Sequence, residues 1–186
     1  MKYEIKGKTS FPALSFNLNE GESIKSQPGS VLAISDGIAL EGKVDGGIGQ
    51  ALGRMFSGES FFIQHILAKK SGWAVLSTAT PGDIVEINLS QGKRILAQKD
   101  SFLAGTDGIE VSSKMQSLAK GFLSGEGFFI VNIGGEGTVF LETYGSVFPI
   151  DIDEGQEVIV DNGNLVLDIS HRRAYTSLSL LSTERL

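Results

Sequence analysis

The sequence predicts an all-β protein built from internal repeats, with one or two short helices. Three observations carry that expectation. An eight-residue stretch recurs, short runs alternate polar with apolar side chains, and glycine is scattered at turn spacing. Phe56-Ser57-Gly58-Glu59-Ser60-Phe61-Phe62-Ile63 returns 67 residues later as Leu123-Ser124-Gly125-Glu126-Gly127-Phe128-Phe129-Ile130, with six of the eight positions identical. The 24 glycines among 186 residues are about twice the usual share, and they form no tract, so they read as turns between many short strands.

A second frame repeats ahead of the first. Asn17-Leu18-Asn19-Glu20-Gly21 leads through Ile24 and Gln27 to Ser30-Val31-Leu32-Ala33 and Asp36-Gly37-Ile38. Seventy-one residues on, Asn88-Leu89-Ser90-Gln91-Gly92 leads through Ile95 and Gln98 to Ser101-Phe102-Leu103-Ala104 and Asp107-Gly108-Ile109. Eleven of the 22 aligned positions are identical, which chance does not give. A fainter third copy follows 63 residues later, where Pro149 precedes Ile150-Asp151-Ile152-Asp153-Glu154-Gly155 and Val158. The expected organisation is one compact unit over residues 1–186, with pseudo-repeats at about 11–80 and 81–145 and a partial one at 146–181.

Each unit shows the same grammar. Asp83-Ile84-Val85-Glu86-Ile87-Asn88-Leu89 alternates as a half-buried strand should. Glu20-Gly21, Gln91-Gly92 and Glu154-Gly155 place glycine where a tight turn takes positive φ. Asp36-Gly37, Asp107-Gly108 and Asn162-Gly163 are short hairpin signals, so the chain reads as hairpins laid end to end. Ile48, Ala51, Leu52 and Met55 fall at helical spacing, as do Met115, Leu118, Ala119 and Phe122 in the second copy. The first copy carries four extra residues in the Gly-rich loop Glu41 to Gly49. Insertions of that kind belong in loops.

Composition excludes several classes of function. With no cysteine, disulfides, thiolate metal sites and a cysteine nucleophile are ruled out, and a reducing cytosol is the default compartment. Lys2, Glu4, Lys6 and Lys8 interrupt the start of the chain, so no signal-peptide core is expected there and the protein is read as soluble, unexported and cytoplasmic. A formal charge of -6 disfavours a nucleic-acid partner, which would need a clustered basic surface. Lys69-Lys70 and Arg172-Arg173 are too small to change that.

No residue set proposes a reaction, and the expectation is no catalytic, cofactor or metal residue. Gly46-Gly47-Ile48-Gly49-Gln50-Ala51-Leu52-Gly53 superficially resembles a dinucleotide-binding loop, but strands rather than a βαβ unit follow, and Ser113 to Lys120 in the second copy has no glycine. An extended loop is the simpler reading, with a partner or membrane contact as the functional one. Gly134-Gly135-Glu136-Gly137 lacks the Lys and Ser/Thr of a phosphate loop and reads as a hairpin turn. His65 and His171 are the only histidines and lie far apart in sequence; a strand histidine and a solvated strand end, His171-Arg172-Arg173, are expected. Glu59 and Glu126 occupy equivalent frames, whereas an acid and base pair needs different surroundings. Phe61-Phe62 and Phe128-Phe129 read as packing residues. Tandem strands leave edges that need cover, and Tyr175-Thr176-Ser177-Leu178-Ser179-Leu180-Leu181 is the candidate edge docking on a neighbouring subunit, the alternative being a strand within its own sandwich.

The repeated Ser-Gly-Glu-x-Phe-Phe segment, the Asp-Gly-Ile turns and Pro28-Gly29-Ser30 ahead of the first of them resemble the AIM24-type, altered-inheritance-of-mitochondria family in its bacterial branch. The likeness covers roughly residues 1 to 180. It implies a β-sandwich or short double-stranded β-helix like that of the tryptophan RNA-binding attenuation protein, assembled into a homo-oligomer, expected as a trimer. It supplies no catalytic residues. Fold does not transfer RNA binding, and no ring of lysine and aromatic residues is present to carry it. The resulting expectation is a non-catalytic oligomeric scaffold or binding protein with a protein or membrane-surface partner. The alternative is a small-ligand-binding protein or enzyme with a pocket between repeats or subunits.

Overall fold

Alternation in the sequence becomes burial in the strands. In Ala13–Leu18 (β2) the buried side chains are Leu14, Phe16 and Leu18, and in Ile84–Leu89 (β8) they are Val85, Ile87 and Leu89, with Glu86 and Asn88 facing water. A computed structural model describes residues 1–7, 10–43, 63–113, 130–153, 156, 158, 165–169 and 173–178. The remaining strands of these residues are Lys2–Lys6 (β1), Ser23–Ser26 (β3), Val31–Ile34 (β4), Ile38–Lys43 (β5), Ile63–Ala68 (β6), Gly72–Ser77 (β7), Ile95–Gln98 (β9) and Phe102–Thr106 (β10). Ile109–Ser113 (β11), Ile130–Gly135 (β12), Gly137–Glu142 (β13), Ser146–Asp151 (β14), Leu165–Ile169 (β15) and Arg173–Leu178 (β16) complete them. Among the described residues the helical content is one 3-10 turn, Lys99–Ser101. The two helical stripes expected from the sequence lie outside them.

The strands form three antiparallel sheets. The first has the order β1-β2-β7-β4, the second β5-β6-β3-β10-β13-β8 and the third β11-β12-β9-β15-β16-β14. One three-strand unit occurs in all of them. Ala13 faces Ser77 in β2–β7, Ile84 faces Glu142 in β8–β13, and Val147 faces Ser177 in β14–β16. Each unit carries a β-bulge at the matching place: between Val31 and Ala33, between Phe102 and Ala104, and between Leu165 and Leu167. A second unit, β3–β6–β5, recurs as β9–β12–β11, with Ile24 opposite Ile66 in one and Ile95 opposite Ile133 in the other. The units join edge to edge where β10 pairs β3 and β15 pairs β9.

The turns are where sequence and structure part. Gly21 and Gly92 both take φ 83, as tight turns require. They do not close hairpins: β2 and β3 lie in different sheets, as do β8 and β9, β4 and β5, and β10 and β11. The Asp36-Gly37 and Asp107-Gly108 turns are therefore corners between sheets. Gly134-Gly135-Glu136-Gly137 likewise carries the chain from β12 in the third sheet to β13 in the second. A dipeptide specifies the local reversal, while the partner of the next strand is decided by which apolar face needs cover. Of the two readings of the C-terminal strand, the structure takes the one that places it within a sheet of its own chain, over Arg173–Leu178. β16 pairs β15 on one side and β14 on the other, so it is an interior strand rather than a docking edge.

The second sheet feeds two cores. One gathers Leu14, Phe16, Leu18, Ala74 and Leu76 of the first sheet against Ile24, Ile38, Ile66, Leu103, Ala104 and Phe140 of the second. The other gathers Val85, Ile87, Leu89, Phe102, Val139 and Leu141 of the second sheet against Ile95, Ile109, Val111, Val131 and Ile133 of the third. Strands β10 and β13 are thus covered on both faces, which is why Phe102-Leu103-Ala104 and Val139-Phe140-Leu141 are continuous apolar runs. Phe140 locks the first core edge-on, with ring centroids 4.9 Å from Tyr3 and 5.5 Å from Phe16. Phe140→Ala should cost about 3–5 kcal/mol of stability, read as a lowered urea midpoint at unchanged slope. A loss below about 1 kcal/mol would mean that the two layers are not packed as described.

Candidate functional site

Of the residues singled out in the sequence as candidates for chemistry, His65 falls within the described residues. His65 lies on β6 with Lys25 of β3 and Glu41 of β5 as its cross-strand neighbours, and the Lys25 Nζ donates to the Ile109 carbonyl at 2.7 Å. Among the described residues no group of three or more His, Asp or Glu is placed to hold a metal ion. His171 and Arg172, Glu59 and Glu126, the two Phe-Phe pairs and Gly46 to Gly53 lie outside those residues, and of the Gly-rich loop only Glu41 to Lys43 falls within them. Arg173 begins β16.

The first sheet presents a different feature. Its side chains alternate, so the face opposite the core carries Lys2, Glu4 and Lys6 from β1, Ala13, Ser15 and Asn17 from β2, and Trp73, Val75 and Ser77 from β7. The bulge on β4 adds Leu32, with Ala33 beside Val75. Leu32 is 66% exposed and Trp73 42% exposed. Both lie on the face turned away from the core, where the charged side chains belong to β1. Trp73 is held by Ser35, whose Oγ accepts from the Trp73 amide at 2.9 Å. The sequence concealed this face, because Ser30-Val31-Leu32-Ala33 matches Ser101-Phe102-Leu103-Ala104, whose leucine is fully buried.

A buried carboxylate also escaped sequence reading. Glu142, at the end of β13, is 6% exposed. Its Oε2 accepts from the Ala79 amide at 2.7 Å. With its nitrogen turned toward them, the Gln27 amide donates to Glu142 Oε1 at 3.2 Å and to the Phe102 carbonyl at 2.6 Å. Burial pushes the Glu142 carboxyl above the ordinary glutamate range, the Ala79 amide opposes that, and the charge of Asp100 adds to it. Gln27 recurs as Gln98, and Ser30 Oγ donates to the Gln27 carbonyl as Ser101 Oγ does to the Gln98 carbonyl, both at 2.7 Å. The glutamate itself has no counterpart, since Ser77 holds the matching place in the first unit. Repeat analysis therefore gave no signal for it.

Comparison with known proteins settles the family. The sequence profile described as "Mitochondrial biogenesis AIM24" matches residues 3–169. The chain belongs to the AIM24 family. An uncharacterised AIM24 relative from Streptococcus pyogenes serotype M6 is 30% identical over 174 residues, spanning 89% of this chain and 69% of that protein. A Streptococcus pyogenes protein whose crystal structure came from a structural genomics consortium shares the fold, with a TM-score of 0.77 and 24% identity over 96% of this chain and 93% of that one.

The geometry around Glu142 fixes a pH signature. A carboxyl raised in the folded state binds its proton more tightly there than in the unfolded chain. Its contribution to stability is present below the ordinary glutamate pKa and is lost as pH rises through the folded value. Glu142→Gln should therefore gain stability relative to the native protein as pH rises from about 4.5 toward 7. Urea midpoints of both proteins across that range test it; parallel profiles would show that Glu142 is not titrating in a buried site.

Proposed function

We propose that the protein is a non-catalytic oligomeric scaffold or binding protein of the AIM24 family, acting in the cytoplasm as a homo-oligomer, with three subunits as the working number. The observation that carries this reading is the exposed apolar face of the first sheet centred on Leu32 and Trp73. A single compact chain of pseudo-repeats, folded as a sandwich of the tryptophan-attenuation-protein type, would offer that face as a rigid sheet with little ordering cost on contact. No helix among the described residues is long and apolar enough to cross a membrane. The acidic balance favours a protein partner over nucleic acid. A membrane surface would draw on the same apolar face, with Lys2 and Lys6 at its rim.

A second reading rests on Glu142. Raised carboxyls concentrate at functional sites, so a small ligand or substrate held at the junction of the first two units would make this residue its polar anchor. Native mass spectrometry of untagged protein, purified gently from its own host, separates the two. A bare closed oligomer is the expected result. A stoichiometric extra mass would favour the ligand reading, and a bare monomer at micromolar concentration would remove the oligomeric one.

A further inference from the structure

The first core is polar at one end, where the second core is apolar. Ser26 of β3 stands opposite Gln64 of β6, and the matching places in the second copy are Ala97 of β9 opposite Val131 of β12. Ala97 and Val131 are both buried in the second core, so the unit packs well with two apolar side chains there. The fold does not require the polar pair. Ser26 is 0% exposed, and among the described residues neither its Oγ nor the Gln64 Oε1 has a hydrogen-bond partner. A buried hydroxyl or amide oxygen left unbonded costs its desolvation and gains nothing in return.

A third group of the same kind lies across the junction. Thr78 follows β7 in the first sheet, is 6% exposed, and its Oγ1 has no partner either. Its counterpart by register, Thr143, is bonded on both sides: the Thr143 Oγ1 donates to the Gly145 carbonyl at 2.9 Å and accepts from the Asp83 amide at 3.1 Å. The three unbonded atoms lie along one line of contacts. Gln64 faces Ser26, Gln27 comes next in the chain and donates to Glu142, and Glu142 accepts from the amide of Ala79, which follows Thr78. Ala79 is exposed, so the line reaches the surface.

The chemistry of these atoms defines the occupant. A serine or threonine hydroxyl both donates and accepts, whereas an amide oxygen only accepts. The occupant therefore brings hydrogen donors as well as acceptors. Each Glu142 oxygen already accepts one N–H, and no Lys, Arg or His belongs to the set, so an anion would meet acceptors with no countercharge. The set spans both sheets, which suits hydroxyls on several carbons rather than a single ion.

We infer that the end of the first core around Ser26, Gln64 and Thr78 binds a small neutral polyhydroxylated molecule, a polyol or a monosaccharide, with Gln27 and Glu142 between its contacts. This deepens the reading that makes Glu142 the anchor of a ligand, and rests on it. Neutral hydrogen bonds exchanged with water give a modest net gain, so the molecule leaves during purification.

The test is equilibrium dialysis of the full chain against labelled glycerol, sorbitol, myo-inositol and glucose, with inorganic phosphate and ammonium as charged comparators. Saturable uptake of a neutral probe, one per chain, is expected, with no uptake of either comparator. Ser26→Ala combined with Gln64→Val, which copies the pair of the second core, should abolish that uptake, and Thr78→Val should weaken it severalfold. Far-ultraviolet spectra and urea midpoints check folding. The double variant removes two unbonded buried atoms, so its midpoint should not fall. Should Gln64→Val fail to fold, Ser26→Ala alone and Thr78→Val serve with the same readouts.

The failures are distinct. If phosphate or ammonium is taken up instead and the double variant removes that uptake, the neutral class is wrong while the Glu142 reading stands. If uptake of a neutral probe persists unchanged in the variants, the molecule binds elsewhere and the inference falls. If no probe is taken up saturably, the inference falls, and a crystal structure of the soaked protein with only water against Ser26 and Thr78 removes the Glu142 reading as well. Binding at crystal concentration only, without saturable uptake in solution, overturns the inference in the same way.

Discussion

The pairing of β10 with β3 is the constraint on which the rest of the fold depends. Gly105 opposite Lys25 and Ala104 opposite Ser26 weld the second unit to the sheet begun by the first. That weld puts β10 and β13 in the middle of the molecule, with one core above and another below. Strands so placed lose alternation and become continuously apolar. Those strands also tolerate little volume change: a β-carbon on Gly105 would come within 3.0 Å of Ile109, and one on Gly137 would overlap Thr106 Oγ1. Close approach, rather than turn geometry, fixes glycine at position 105. The family-level fold similarity at 24% identity fits this logic, because edge-to-edge joining constrains register and apolar character far more than it constrains individual residues.

Much of this was legible in the sequence where local physics decides. The alternation over Asp83 to Leu89 gave a half-buried strand, and the matched frames starting at Asn17 and Asn88 correspond to strands that share register as well as sequence. Glycine at positions 21 and 92 gave turns with positive φ. What was not legible is which sheet each strand joins. An Asp-Gly turn reverses the chain equally well inside a hairpin or at a corner, and only tertiary packing distinguishes the two. The sequence left two readings of the C-terminal strand open for a related reason. Its alternating, uncharged pattern suits a docking edge and an interior strand alike, and the register with β14 and β15 makes it interior.

The candidate site was the least legible part, and the cause is the repeat itself. Leu32 and Leu103 are the same residue in the same frame, yet one faces solvent and the other is fully buried. Nothing local separates them. The difference arises because the outer face of the second unit closes the first core, whereas Leu32 on the outer face of the first unit is 66% exposed. A repeated sequence conveys what each unit can bury, while position in the array determines what each unit does bury. Exposure of one copy beside burial of the other is consequently informative in a way that exposure on an isolated strand is not.

The junction between the first two units also contains the main departure from that symmetry. Glu142 occupies the place of Ser77, and its carboxylate is withdrawn from water against Gln27 and the Ala79 amide. A wholly apolar contact would cost less, since desolvating a carboxylate opposes folding even when hydrogen bonds partly compensate. Two features explain how it is tolerated. The raised proton affinity lets the group reduce its charge when the surroundings demand it, and Gln27 supplies a donor that also satisfies the Phe102 carbonyl at the bulge. A one-residue slip would turn every buried apolar side chain to the other face, and this bonded set likewise has one satisfied arrangement. Sliding β13 by one position past the β3–β4 link would leave the carboxylate buried without its donors. The apolar faces thus drive the units together and set their register, and the bonds of the buried glutamate are satisfied in that register.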